Sequence, residues 1–285
     1  MSYAGSTEPI IRLINQKLGE SLGQPVILEP QPGANGSVAA GIVARAAPDG
    51  YTVLSANAAL IIRRFLVKDV PWDPFNDFTP IRHVFDSVGV IVAHPSGPSS
   101  LKEMIDAAKQ NPGKLSFGSN GIGSAYHMAG EQIQLLTGAQ LLHVAYKASP
   151  QAMTDLIAGR IQTAFSGYSN TRPFVEAGKA RFLATLNNSR FPLIPQVPSV
   201  KEVVSGYQSP PLWGAYFGPA GLPRPIVQRL YIGISKAIGM QDVRAIMEKA
   251  GLMPATGGPE ELAAMMKSDV EQLARIVKAA GIQPE

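Results

Sequence analysis

Two hydrophobic periods alternate along the chain, and this limits its fold more than any other feature. From Pro9 to Leu22 apolar residues fall at Ile10, Ile14, Leu18 and Leu22, the stripe of a helix, with Pro9 suited to its first turn and Gly23 to a left-handed stop. Pro25–Glu29 reads as a short strand, Gly33–Ser37 as a glycine turn, Val38–Ala46 as a helix of small residues, and Tyr51–Ser55 as a strand after the Asp49-Gly50 turn. The rhythm continues through strands at Ser87–Ala93, Lys114–Gly118, Leu141–Tyr146, Ile161–Phe165, Arg181–Thr185 and Trp213–Phe217, with a helix at Leu101–Gln110. After Gly258-Pro259, apolar residues at Leu262, Met266, Val270, Leu273 and Val277 carry a last helix to Ala280-Gly281. Strands and helices that alternate through short turns form an α/β sheet covered on both faces.

Two stretches rich in Gly, Pro and Ser follow strands and read as seams: His94–Ser100 and Gly218–Pro223. If the chain crosses between lobes at both, residues 1–95 with 218–285 form one discontinuous lobe and 96–217 the other. Two crossings make a hinge able to close around a ligand. The length, 285 residues, suits two domains, and 45% hydrophobic against 16% charged residues supplies real cores.

Composition also excludes function classes. No cysteine is present, so there is no disulfide framework, thiolate metal site or cysteine nucleophile. The net charge of +4 comes from scattered Lys and Arg, without the basic, aromatic-laced stripe of a nucleic-acid groove. No apolar run reaches the roughly 18 residues that a membrane helix needs. Met1–Gly5 carries neither the charged nor the apolar region of a secretory signal. G-x-S-x-G and HExxH are absent, and His83, His94, His127 and His143 are too widely spaced to read as metal ligands.

What remains is a set of small, hydroxylic segments where strands end and helices begin. Ala4, Gly5, Ser6 and Thr7 lead into the first helix, whose free N–H groups and positive dipole end suit an anion; a plain cap is the bland alternative. Ser119, Asn120, Gly121, Gly123, Ser124 and Ala125 follow a strand and open a helix near Ser124. The spacing G-x-x-G-x-G fits neither a P-loop nor a dinucleotide fingerprint, so the choice lies between a tight turn and a ligand loop. Lys147, Ala148 and Ser149, Ser166 with Gly167, and Ala56 with Asn57 have the same character, and ligands of open α/β sheets gather beyond the carboxyl ends of strands. A nucleophilic Ser6, Ser119 or Ser124 would need a base, for which His127 is the candidate; packing against the turn is its simpler role.

Eight ordered motifs carry a resemblance: Gly-Gln-Pro-Val (23–26), Pro-Gly-Ala-Asn-Gly (32–36), Ala-Arg-Ala-Ala-Pro-Asp-Gly-Tyr-Thr (44–52), Pro-Trp-Asp-Pro-Phe-Asn-Asp-Phe (71–78), Gly-Lys-Leu-Ser-Phe-Gly-Ser (113–119), His-Val-Ala-Tyr-Lys (143–147), Ile-Pro-Gln-Val-Pro-Ser-Val (194–200) and Phe-Gly-Pro-Ala-Gly-Leu-Pro (217–223). Almost end to end, the chain resembles the Bug family, the TctC-like solute-binding proteins of tripartite tricarboxylate transporters. The resemblance implies a type II periplasmic binding protein, a two-lobed "Venus flytrap" with each lobe a sheet flanked by helices. It implies a periplasmic monomer, without catalysis, cofactor or metal, that holds a small organic carboxylate between its lobes and hands it to the membrane permease subunits. A ligand sensor and a serine-dependent enzyme are the alternatives. Carried over by position, the contacts are Ala4–Thr7, Ala56, Asn57, Ser119–Ala125, Lys147–Ser149, Ser166 and Gly167.

Three departures from the family pattern stand out. An apolar first strand and a signal peptide are expected before Tyr3 and are missing from this sequence. The family often has Asp-Asn where this chain has Ser166-Gly167, which argues against an amino group on the ligand. Glu8 stands where the family prefers Asp, a shorter and better cap.

Overall fold

The computed structural model describes residues 7–31 and 36–284. In chain order its elements are α1 (Glu8–Leu22), α2 (Ser37–Ala44), β1 (Leu54–Asn57), α3 (Ala59–Ile62), β2 (Phe78–Ser87), β3 (Gly89–Ala93), α4 (Leu101–Gln110), β4 (Ser116–Ser119), α5 (Ala125–Thr137), β5 (Leu142–Ala145) and α6 (Ser149–Ile157). They continue with β6 (Thr163–Gly167), α7 (Tyr168–Glu176), β7 (Arg181–Thr185), α8 (Val200–Val203), β8 (Trp213–Pro219), α9 (Arg224–Gly239), α10 (Gln241–Lys249), β9 (Leu252–Pro254) and α11 (Pro259–Ala279).

The chain divides into two units. One holds the described residues up to Ser87 together with Trp213–Glu271; the other holds Val88–Leu212 and Gln272–Gln283. The crossings therefore differ from the expected boundaries at 95/96 and 217/218, and the last turns of α11 join the second unit. Only Val88 separates β2 from β3, yet these strands belong to different sheets, so the chain changes sheet inside one apolar run. Both Pro/Gly-rich seams lie within a unit. His94 donates its N–H to the Gln162 carbonyl at 3.0 Å in the second, and Ala220 donates to Asp77 at 3.0 Å in the first.

In the first unit the sheet order is β1-β8-β2-β9, with antiparallel neighbours throughout. Helix α1 buries Ile10, Ile11, Ile14 and Leu18 and ends at Gly23, whose φ of 71° lets its N–H reach the Gly19 carbonyl at 2.9 Å. It packs on α9 at Gly233, where a Cβ would stand 2.5 Å from Leu18. Beneath lies a core of Ile81, Val84, Phe85, Tyr216, Ile234 and Met247. The buried Arg82 guanidinium is satisfied by Ser235 Oγ (2.9 Å), the carbonyls of His83 (2.7 Å) and Ala255 (2.8 Å), and the Gly257 carbonyl. A buried charge is tolerable only with such a set of acceptors.

Two local expectations change. The apolar segment Pro25–Glu29 joins no ladder among the described residues, and Ile27 is 75% exposed. The pattern marks an extended chain, but a strand also needs a partner. With Leu18, Val53, Ile226 and Leu230, this segment instead lines an open groove of about 780 Å³. Conversely, the long strand β2 escapes the pattern because its register shifts twice against β8, between Pro80 and Arg82 and between His83 and Phe85. Each shift resets the inside–outside alternation on which the period-two signal rests.

The second unit has the order β5-β4-β6-β3-β7, with β4 parallel to β5 and β6, and β3 antiparallel to β6 and β7. Its core gathers Ile91, Met104, Phe117, Ile133, Phe165, Leu183 and Tyr207. Thus the α/β reading holds, each unit being a sheet flanked by helices. The expected missing first strand concerns positions outside the described residues.

Candidate functional site

Three neighbouring parallel strands of the second unit end along one edge of their sheet, and each gives way to a helix. Ser119 of β4 is in register with Ala145 of β5, while Gly167 of β6 faces Gly89 at the start of β3. From this edge α5 starts at Ala125, α6 at Ser149 and α7 at Tyr168. Parallel neighbours place the starts of α5, α6 and α7, with their positive dipole ends, along a single edge. Most of the residues expected to bind a ligand are therefore brought together: Ser119–Ala125, Lys147–Ser149, Ser166 and Gly167. Thr7, Ala56 and Asn57 belong to the first unit, where Thr7 precedes α1 and Asn57 Oδ1 accepts the Ala59 N–H at 2.9 Å. Ala4, Gly5 and Ser6 lie outside the described residues.

The loop before α5 uses most of its polar groups on itself. Gly121 and Gly123 take φ values of 119° and 71°, which favour glycine, and fold the loop back. The Ser119 hydroxyl donates to the Gly121 carbonyl at 3.2 Å and receives the Gly121 N–H at 3.3 Å. Gly123 donates to His127 Nδ1 at 2.9 Å, which leaves the proton of that ring on Nε2, directed at Glu131 Oε1 at 3.3 Å. Ser124 caps α5 by accepting the His127 N–H at 3.2 Å. Among the described residues no acceptor is recorded for the N–H groups of Ala125 and Tyr126, the first two of the helix. Asn120 and Ile122 are exposed beside them.

Two expected contacts are placed differently. Ser119 and Ser166 are both fully buried, and the Ser166 hydroxyl has no hydrogen-bond partner among the described residues. Ser119 instead meets His143, whose Nε2 stands 2.7 Å from its Oγ. The histidine beside the Ser119 hydroxyl is thus His143 rather than His127, and its ring is partly exposed. The rings of His127 and His143 stack with centroids 4.0 Å apart, and Phe117 packs 4.8 Å from His143. Burial, and then the adjacent His127, push the His143 imidazole down to about 4. The sequence hid this cluster because its histidines are 16 positions apart and meet only when α5 packs over the paired strands β4 and β5; the alternation of Ser119, Phe117 and His143 toward one face was the available signal.

The neighbouring helix starts are more open. Lys147 and Ala148 are exposed, with the Lys147 N–H bound to Gln151 Oε1 at 3.1 Å. Tyr146 anchors the end of β5 to α6 by donating to Asp155 Oδ2 at 2.8 Å. Gly167 caps α7 with its carbonyl, which accepts the Thr171 hydroxyl at 3.3 Å. Tyr126 and Asn170, not anticipated from the sequence, flank Gly167. Among the described residues there is no cluster of three or more His, Asp or Glu able to hold a metal, and no helix is long and apolar enough to cross a membrane.

The fold recurs in known proteins. Residues 10–282 match the family described as tripartite tricarboxylate transporter family receptor, TctC. A protein encoded between tcbD and tcbE of Pseudomonas sp. strain P51 is 34% identical over 277 residues, covering 96% of this chain and 82% of that protein. The solved Rpa4515 of R. palustris with adipate shares 28% identity and a TM-score of 0.85, covering 100% of this chain and 96% of that one. MatC from Rhodopseudomonas palustris with bound malate shares 26% identity and a TM-score of 0.78, covering 97% and 96%. On the family match over nearly its whole length and the shared fold, the chain belongs to the TctC, or Bug, family of periplasmic solute-binding proteins.

Proposed function

We propose that this protein captures a small organic carboxylate outside the cytoplasm and delivers it to the permease subunits of a tripartite tricarboxylate transporter. It makes and breaks no bond, and acts as a periplasmic monomer. The observation that carries this reading is the pair of N–H groups at the start of α5 that are unclaimed among the described residues, above a loop held in shape by the Ser119 hydroxyl and the Gly121 and Gly123 amides. A rigid pair of amides at a positive helix end offers a carboxylate two charge-assisted hydrogen bonds, each contributing roughly 1.5–3 kcal/mol. The adipate and malate bound by the two solved relatives support the same class of ligand. Asn120, Lys147 and Ala148 extend the exposed rim, and the buried Ser149 at the start of α6 and the first-unit residues Ala4–Thr7, Ala56 and Asn57 are proposed as further contacts. The buried Ser119 and Ser166 would act from behind, by shaping the loop and the end of β6.

Calorimetric titration of the full chain with mono-, di- and tricarboxylates, alongside the matching amides, tests the proposal. Binding of at least one acid with the amides silent is expected. Failure of every acid both to release heat and to raise the melting temperature would overturn it.

A further inference from the structure

Gly167 has φ −74° and ψ 147°, an extended backbone open to any residue, so its conformation gives no reason for a glycine. Its surroundings do. A Cβ at this position would stand 3.2 Å from the Tyr126 hydroxyl and 3.6 Å from Asn170 Nδ2, and no other atom of the described residues, its chain neighbours aside, lies within 4 Å. Tyr126 comes from the first turn of α5 and Asn170 from the first turn of α7, so two helices that begin at the same sheet edge aim polar tips at one bare Cα. Among the described residues neither tip has a recorded hydrogen-bond partner. The Tyr126 ring packs against the core of the second unit, which fixes where its hydroxyl sits, and burial pushes the phenol up, so it stays neutral.

We infer that Tyr126 and Asn170, over the gap left by Gly167, read the part of the ligand remote from the carboxylate held at α5. This rests on the binding function proposed above and deepens it. The position offers a phenol and a carboxamide next to the positive end of α7, and neither group is acidic. Such a set satisfies an oxygen acceptor, a hydroxyl or a second carboxylate, and leaves an ammonium without a counter-charge. The specificity comes from hydrogen bonding to a polar distal group, and analogues lacking that group leave the two tips unpaired.

The test compares succinate, butyrate and aspartate on the full chain by calorimetry, with Tyr126→Phe, Asn170→Ala and Gly167→Ala. Tyr126→Phe keeps the packed ring and removes only the hydroxyl. Succinate should bind at least about tenfold more tightly than butyrate and aspartate. Tyr126→Phe and Asn170→Ala should each weaken succinate about tenfold while changing butyrate less than twofold, and Gly167→Ala should weaken succinate by filling the gap. Melting temperatures without ligand should match the parent for Tyr126→Phe. Aspartate equal to succinate, or equal losses for succinate and butyrate in Tyr126→Phe, would overturn the inference while leaving carboxylate binding intact. No binding of any acid by the parent chain would overturn both readings together.

Discussion

Replacing Ala125 by proline removes one hydrogen-bond donor from the candidate site with little else disturbed, and the backbone shows why. Ala125 is the first residue of α5, the one helical position where proline is favoured, because the N–H it lacks has no intrahelical partner. The preceding residue must avoid the helical region, and Ser124 already sits at φ −65° and ψ 159°. The Ser124 cap to the His127 N–H is untouched. Stability without ligand should therefore stay equal or rise by up to about 1 kcal/mol, since proline restricts the unfolded chain. If the Ala125 N–H donates to the bound carboxylate, about 1.5–3 kcal/mol of binding is lost. At about 1.4 kcal/mol per factor of ten, that is a drop in affinity of roughly 10- to 150-fold. Urea denaturation of the free protein and titration with the best acid of the panel give both quantities, with Ala125→Ser, which keeps the N–H, as control. An Ala125→Pro protein that folds normally and binds within threefold of the parent would refute the assignment of this amide to the ligand.

Two other outcomes follow from the cluster behind the loop. With His143 lowered from 6.5 to about 4, the unfolded chain takes up a proton between these values that the folded chain refuses, so stability falls as pH drops through that window. The fall is at most about 3 kcal/mol, and about 1–2 kcal/mol after allowing for the partly exposed ring. His143→Phe keeps a stacked ring without the titration, and its stability loss between pH 7 and 4.5 should be smaller by that amount; equal losses in both proteins would contradict the assignment. Gly130→Ala would gain about 1 kcal/mol of helix propensity but brings a Cβ within 2.4 Å of the Phe117 ring, which is fully buried. Overpacking of this kind costs about 1–3 kcal/mol, so a net loss in chemical denaturation is expected, and a gain would show that Phe117 has room to move.

Much of this fold can be read from spacing alone. Helix α1 follows from Ile10, Ile14 and Leu18 between Pro9 and Gly23, and β8 from its apolar run, because burial on one face imposes a period that local sequence displays. The motif-by-motif resemblance places the chain in its family, and Ser119–Ala125, Lys147–Ser149 and Gly167, alike in their strand-end character, lie along one sheet edge. Other features are invisible locally. Strand β2 is masked by two register shifts, and Pro25–Glu29 carries a strand's pattern without the ladder. The change of unit at Ser87 and Val88 is a matter of which partners each strand finds, and the single Gly89 beside it does not announce it.

The amino-acid order by itself determined where helices and strands arise, which segments are rich in backbone donors, and that no cysteine or metal-binding spacing is available. Only the tertiary structure decided which donors stay free. It turned Ser119 and Ser166 inward, gave Ser119 a histidine from the adjoining strand, spent the Gly123 amide on His127, and, among the described residues, left the first two N–H groups of α5 and the tips of Tyr126 and Asn170 unclaimed. A hydrogen bond is settled by positions in space to within a few tenths of an ångström. Residues far apart in sequence acquire such positions only when strands pair and helices pack.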